Sequence, residues 1–182
     1  MRLFFCIELR EDVRRALTEV AQECRRVLGP GSWVPPENYH LTVRFLGETP
    51  EEKLPQLLEA GKNVAAQTKP FALRLDTLGG FPQLKAARVL WVGPRAAAPE
   101  FRKLCQQMEE AVQALGFPGE KKEALPHVTL ARFKNPKDLR EVLARLNPII
   151  PEVRVEGLTL MRSELRPEGA KYTPVASWKF GG

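Results

Sequence analysis

Apolar residues recur along the chain with two different periods, and the switch between them marks out the elements. Val13, Ala16, Leu17, Val20, Ala21, Cys24, Val27 and Leu28 return every three or four positions, as on one face of a helix. Leu54, Leu57, Leu58, Gly61, Val64 and Ala65 do the same, as do Phe101, Leu104, Cys105, Met108, Ala111, Val112 and Leu115. Leu139, Val142, Leu143 and Leu146 predict a shorter fourth helix. Thr49, Pro50 and Glu52 read as N-cap, first helical residue and capping-box partner of the second helix. Asn135-Pro136 reads as the opening of the last one. Between the helices, strands are expected over 2–8, 40–46, 70–78, 87–93, 127–133, 153–162 and 173–180. Gly79-Gly80-Phe81-Pro82 is expected as a turn and 94–99 as a loop.

Two of these strands carry the same word. The chain has only two histidines, and each opens a His-x-Thr-x sequence: His40-Leu41-Thr42-Val43 and His127-Val128-Thr129-Leu130. With eight threonines in 182 residues, composition alone puts Thr two places after both histidines roughly once in five hundred sequences. In a strand, positions i and i+2 share a face. His40, Thr42 and Arg44 are therefore expected on one face, with Leu41, Val43 and Phe45 on the other. His127 and Thr129 likewise oppose Val128 and Leu130. Strict alternation puts Arg132 opposite His127, unless a bulge intervenes or its long side chain reaches round the edge.

Imidazole exchanges protons near neutral pH, and two of them can supply the acid and the base of one reaction. A neighbouring hydroxyl can donate to an anionic oxygen. A single strand histidine would read as structural and a single strand threonine as ordinary β-propensity; a matched pair of pairs does not. A two-histidine metal site would need carboxylate or thiolate partners at ligand spacing, and neither strand offers one beside its histidine. No metal or other cofactor is expected.

Charge and cysteine usage refine this picture. The chain has 28 basic and 22 acidic residues, a formal +6, which is compatible with a polyanionic partner. The basic residues are scattered, and Arg25-Arg26 and Lys121-Lys122 read as solvated surface, although the second pair lies just before the second motif. Cys6, Cys24 and Cys105 are odd in number and sit in apolar patterns, as buried thiols of a reducing cytoplasm do. No stretch approaches the ~20 apolar residues of a membrane span. The opening run carries Glu8 where a signal peptide would stay apolar, so secretion is not expected.

The words belong to a larger repeat. Pro35-Pro36 and Glu37 precede the first, and Glu123 and Pro126 the second; after each come a turn and an amphipathic helix. The expected organisation is a single domain over 1–182 with two interleaved repeats, carrying the motifs at 40–43 and 127–130. A duplicated unit tends to pack about a pseudo-twofold axis, which would set one imidazole on each side of a bound substrate. Two imidazoles, two hydroxyls and an arginine suit phosphodiester chemistry: a base for the nucleophile, an acid for the leaving oxygen, donors for the non-bridging oxygens. Arg44 is open between that role and an ion pair, and Arg132 between that role and surface charge.

The chain resembles the two-histidine (2H) phosphoesterases, and among them the bacterial and archaeal RNA 2′,3′-cyclic phosphodiesterases, historically called 2′-5′ RNA ligases. The resemblance runs through residues 2–7, 33–48, 80–82, 88–93, 126–132 and 163–165, with Tyr172 near the end; Tyr39 stands where the family more often has Leu. It implies an α+β bilobal fold in which each lobe is an antiparallel sheet with helices on its outer face and the active-site groove lies between. It implies metal-independent opening of a terminal 2′,3′-cyclic phosphate to a 2′-phosphate, with His40 as proton donor and His127 as proton acceptor. Thr42, Thr129 and Arg132 are implied to bind the phosphate, and Phe5 and Tyr172 are candidates for stacking on a base or for the core. A weak reverse ligation to a 5′-hydroxyl is also implied. The expected protein is a cytoplasmic monomer acting on RNA ends or cyclic nucleotides, with no membrane partner. Small cyclic or 2′-5′-linked nucleotides as substrates, and a non-catalytic RNA-end binder, stay open as alternatives.

Overall fold

The computed structural model describes residues 1–120 and 124–181. Ten strands and four helices follow in the order β1 (Arg2–Glu8), α1 (Glu11–Leu28), β2 (Ser32–Trp33), β3 (His40–Glu48), α2 (Leu54–Gln67), β4 (Phe71–Leu73) and β5 (Thr77–Phe81). They continue with β6 (Ala87–Gly93), α3 (Pro99–Gln113), β7 (Val128–Lys137), α4 (Arg140–Arg145), β8 (Val153–Val155), β9 (Gly157–Arg166) and β10 (Gly169–Lys179). One four-stranded sheet has the order β10-β9-β1-β3 and the other β2-β7-β6-β5, while β4 and β8 form a separate pair. Every pairing is antiparallel.

The helices cover the sheets where the apolar stripes require it. α2 packs on β9 and β10, and α3 beside it on β3. α1 leaves the first sheet, meets α4, and sets Arg25 over the ring of Trp33 in β2, 6.0 Å from its centroid. Each half of the chain thus lends elements to the other half's sheet. Val13, Leu17 and Cys24 of α1 and Leu104, Met108 and Val112 of α3 join one continuous core with Leu3, Phe5 and Ile7 of β1. Burying these residues is the main source of stability, at about 25 cal/mol per Å² of apolar surface. Cys6, Cys24 and Cys105 are all buried free thiols, and burial pushes the last two up to about 12. No helix among the described residues is long and apolar enough to cross a membrane.

Several boundaries differ from the sequence reading, each for a local reason. Thr49 does not cap α2: its hydroxyl turns back to the Gly47 carbonyl (3.0 Å), its N–H donates to the Met1 carbonyl (2.7 Å), and a 3₁₀ turn at Glu51–Lys53 precedes the helix. Asn135-Pro136 lies inside β7, in a stretch beyond the two-residue partner β2, where a missing N–H is tolerated on the open side. Leu139 is the N-cap of α4, and Asp138 just before it accepts from the Arg140 N–H at 3.0 Å. Gly79, Gly80 and Phe81 belong to β5 and not to a turn. A Cβ on Gly79 would fall within the Trp91 indole, so glycine there makes room for the ring across the ladder. The predicted strands 70–78 and 153–162 each break in two, and β10 begins at Gly169. Lys121, Lys122 and Glu123 lie outside the described residues.

Candidate active site

The two histidine words fold alike, down to the same irregularity. Residues 40–45 and 127–132 share one burial sequence: half-buried, buried, half-buried, buried, buried, exposed. The two consecutive buried positions come from a bulge in each strand. Against β1, Phe5 pairs with Arg44 and Cys6 with Thr42, leaving Val43 as the extra residue. Against β6, Leu90 pairs with Ala131 and Trp91 with Thr129, leaving Leu130 extra. An extra residue reverses the parity of everything beyond it.

That reversal redistributes the two arginines. Arg132 turns to the side of His127 and Thr129, where its charge acts on His40, His127 and Tyr172. Arg44 moves the other way, behind the sheet, and is only 6% exposed. Its guanidinium donates to Glu109 of α3 and to the carbonyls of Phe45 and Pro118. Arg44 is therefore an ion-pair residue and not a groove residue, and Phe45, expected to be buried, is 53% exposed in its place.

His40 is held at both nitrogens. Nδ1 lies 2.8 Å from the Asn38 carbonyl, which can only accept, so Nδ1 carries the proton of the neutral ring. The lone pair of Nε2 then accepts from the Thr42 hydroxyl at 2.9 Å. Phe4 and Tyr172 flank the ring at centroid distances of 5.0 and 5.4 Å. His127 repeats half of this: Nδ1 donates to the Leu125 carbonyl at 2.8 Å, which leaves the Nε2 lone pair with no hydrogen-bond partner among the described residues. Phe81, edge-on at 5.2 Å, and Trp91, at 6.2 Å, flank it.

Both imidazoles titrate below the ordinary histidine value. For His40 burial is the main cause, partly offset by the Asn38 carbonyl, with the positive charges of His127 and Arg132 adding to it. For His127 burial again leads, opposed by the Leu125 carbonyl and reinforced by Arg132. β3 and β7 are in contact, so these charges share one groove. Among the described residues no group of three His, Cys, Asp or Glu side chains is placed to hold a metal ion. Two cavities, of about 610 Å³ between α2 and α3 and about 260 Å³ beside β4, lie away from both histidines.

Of the aromatic candidates, Tyr172 stands on the groove face and Phe5 does not. Phe5 is fully buried behind β1, against Trp178; Phe4, one position earlier, occupies the groove side. The sequence held a signal for this. Arg2, Phe4, Cys6 and Glu8 share one parity, and the charged ends of that set mark it as the polar face. Sequence reading also passed over Asn38, Phe81 and Trp91 beside the histidines.

Comparison with known proteins places the chain in a family. Residues 11–167 match the model of the 2′-5′ RNA ligase superfamily. A Thermus thermophilus protein named RNA 2′,3′-cyclic phosphodiesterase is 39% identical, the match covering all of this chain and 91% of that one. Its namesake from Methanocaldococcus jannaschii is 31% identical over 98% of this chain and 100% of its own. Among solved structures, TT0787 of Thermus thermophilus superimposes with a TM-score of 0.82 at 36% identity, covering 100% of this chain and 99% of that one. E. coli LigT complexed with 3′-AMP gives 0.77 at 28%, covering 98% and 97%. The antiparallel two-lobed α+β architecture is the one these structures share, and the chain belongs to the 2′-5′ RNA ligase superfamily.

Proposed function

We propose that this protein is a hydrolase that opens RNA 2′,3′-cyclic phosphate ends to 2′-phosphates, using His40 and His127 as an acid–base pair. The observation that carries the reading is the duplicated His-x-Thr word, folded with the same bulge and the same burial sequence in both halves. The names of the relatives supply the substrate class.

In the proposed step, His127 takes a proton from water through its open Nε2 lone pair, and the oxygen attacks phosphorus. The bond from phosphorus to the 3′-oxygen breaks, and that oxygen takes a proton from the imidazolium of His40. The products are a 2′-phosphate and a free 3′-hydroxyl, and the pair returns to its starting state by exchanging one proton with solvent. Thr42 and Thr129 donate to the non-bridging oxygens and Arg132 neutralises the charge that builds there. In the imidazolium the Nε2 lone pair is taken up by the proton, so the Thr42 hydroxyl that it held in the neutral ring is free to donate to the phosphate. No metal ion or cofactor enters these steps. Run backwards with a 5′-hydroxyl in place of water, the same groups would join two RNA ends weakly through a 2′-5′ linkage. The reading takes the chain as one two-lobed domain whose repeats carry the words at 40–43 and 127–130, and as a cytoplasmic monomer, in keeping with its three free thiols.

A second reading, action on small nucleotides, draws support from the crystal structures of E. coli LigT with 3′-AMP, ATP and NADP+. Comparing kcat/KM for an oligoribonucleotide with a 2′,3′-cyclic end against a mononucleoside 2′,3′-cyclic phosphate separates the two. A clear preference for the oligonucleotide upholds the RNA reading; equal or greater efficiency on the mononucleotide moves the assignment to small nucleotides.

A further inference from the structure

Asn38 ends the 3₁₀ turn Pro36–Asn38 that delivers the chain into β3, and only 8% of it is exposed. Its two polar ends do different jobs. The backbone carbonyl accepts from Nδ1 of His40. The side-chain amide donates at 2.8 Å to the carbonyl of Ala170, 132 positions away on the β9–β10 hairpin. Tyr172 follows two residues later on the same strand face, its ring edge-on to His40 and also to Phe4, 5.1 Å away. One side chain therefore connects the turn that orients His40 to the hairpin that covers it.

The other half of the protein lacks this connection. Its counterpart of Asn38, 87 positions on, is Leu125. The Leu125 carbonyl orients His127 in the same way, but its side chain is 43% exposed and has no amide with which to tie anything down. The repeat is thus symmetric in how each imidazole is oriented and asymmetric in how it is covered.

We propose that Asn38 is a positioning residue for His40: its amide latches the β9–β10 hairpin over the first motif, so that Tyr172 closes on the imidazole of His40 and not on that of His127. The proposal rests on the acid–base reading for its importance to catalysis, and on the hydrogen bonds alone for its geometry. The latch holds a hairpin ring on His40, whereas His127 is flanked by Phe81 and Trp91 of β5 and β6, so two identical side chains are covered by different means. Among the described residues, the other ionisable groups facing His40 are Glu8 and Cys6 of β1, Tyr172 of β10, and His127 and Arg132 of β7. Glu8 is engaged by the Thr159 hydroxyl at 3.0 Å, and no substitution at Asn38 changes the charge of any of them.

Asn38→Leu is the direct test, because it is uncharged, branches at Cγ as asparagine does, and reproduces what the second half carries. With only two histidines in the chain, NMR follows each imidazole separately through a pH titration, with no need for substrate. The expected result is that His40 titrates higher, towards the ordinary value for a solvated imidazole, while His127 is unmoved. kcat/KM on a cyclic-phosphate end falls on the order of tenfold to a hundredfold, with only the His40 limb of its pH profile displaced. An unchanged His40 titration in the folded variant, or equal movement of both histidines, overturns the proposal. If Asn38→Leu does not fold, Tyr172→Leu removes the ring that the latch delivers: a rise confined to His40 supports it, and no rise overturns it. Failure of the wild-type protein to hydrolyse any cyclic phosphate would instead sink the acid–base reading and leave the titration result standing.

Discussion

Phe45 in β3 and Arg132 in β7 hold the same place, three residues past their motif threonines and 87 positions apart. A bulge at Val43 in one strand and at Leu130 in the other brings both to the exposed groove side. Two strands built alike thus end in an aromatic ring on one side and a cation on the other. This gives the groove a polarity that the histidine words alone do not have.

The charge of Arg132 reaches both histidines, so its removal is expected to act on both. Arg132→Gln raises the titration of His40 and of His127 together, because a nearby positive charge disfavours each imidazolium. It also removes a charged donor to the phosphate, costing about 1.5–3 kcal/mol of transition-state binding, roughly tenfold to a hundredfold in kcat/KM. Steady-state kinetics across pH reads both effects. A variant with unchanged kcat/KM would remove Arg132 from the site.

Activity and stability respond to pH in a way that the burial of the two histidines fixes. Both imidazoles sit below the ordinary value of about 6.5. The kcat/KM profile of the free enzyme is therefore a bell with its maximum on the acid side of that value. For stability, the unfolded chain takes up protons near pH 6.5 that the folded chain still refuses. Stability is full above that pH, declines as pH falls below it, and levels off once the folded imidazoles are protonated as well. Urea unfolding at pH 7.5 and pH 5, in the wild type and in a His40→Gln, His127→Gln double variant, checks this: the double variant loses less on acidification.

Arg44 is predicted to matter for folding. Its guanidinium is nearly inaccessible and joins β3 to Glu109 of α3 and to the Pro118 carbonyl. Glu109 keeps the Gln113 amide and the Glu120 N–H, so removing Arg44 costs the charge-assisted hydrogen bonds, about 1.5–3 kcal/mol. Arg44→Met should show this as a lowered denaturation midpoint. A loss below 1 kcal/mol would mean that the pair is as weak as a surface ion pair.

The matched histidine words and the helices were legible in the sequence, because each is written in a local period or a literal repeat. The parity beyond the words was not. A bulge has no marker of its own in Val43-Arg44 or Leu130-Ala131, and without it Arg44 and Arg132 exchange faces. The remaining errors share a cause in contacts distant along the chain. Gly79 looks like a turn residue until Trp91 is found lying across it, and Thr49 looks like a cap until its N–H is seen bound to the Met1 carbonyl. Asn38 carries no pattern at all, since its partner at Ala170 is fixed only by the folded hairpin.

Each histidine is expected to be dispensable for folding and not for turnover. His40→Ala and His127→Ala should each lose at least 10²–10⁴-fold in rate, the usual contribution of a general acid or base, with thermal melting near that of the wild type. A histidine variant retaining most of its activity would show that its imidazole carries no proton in the reaction.

The central claim is tested most directly by incubating the purified protein, with EDTA present, with an oligoribonucleotide ending in a 2′,3′-cyclic phosphate, and identifying the position of the phosphate in the product. The account predicts metal-free opening to the 2′-phosphate. Formation of a 3′-phosphate, loss of activity to the chelator, or binding without turnover would contradict it.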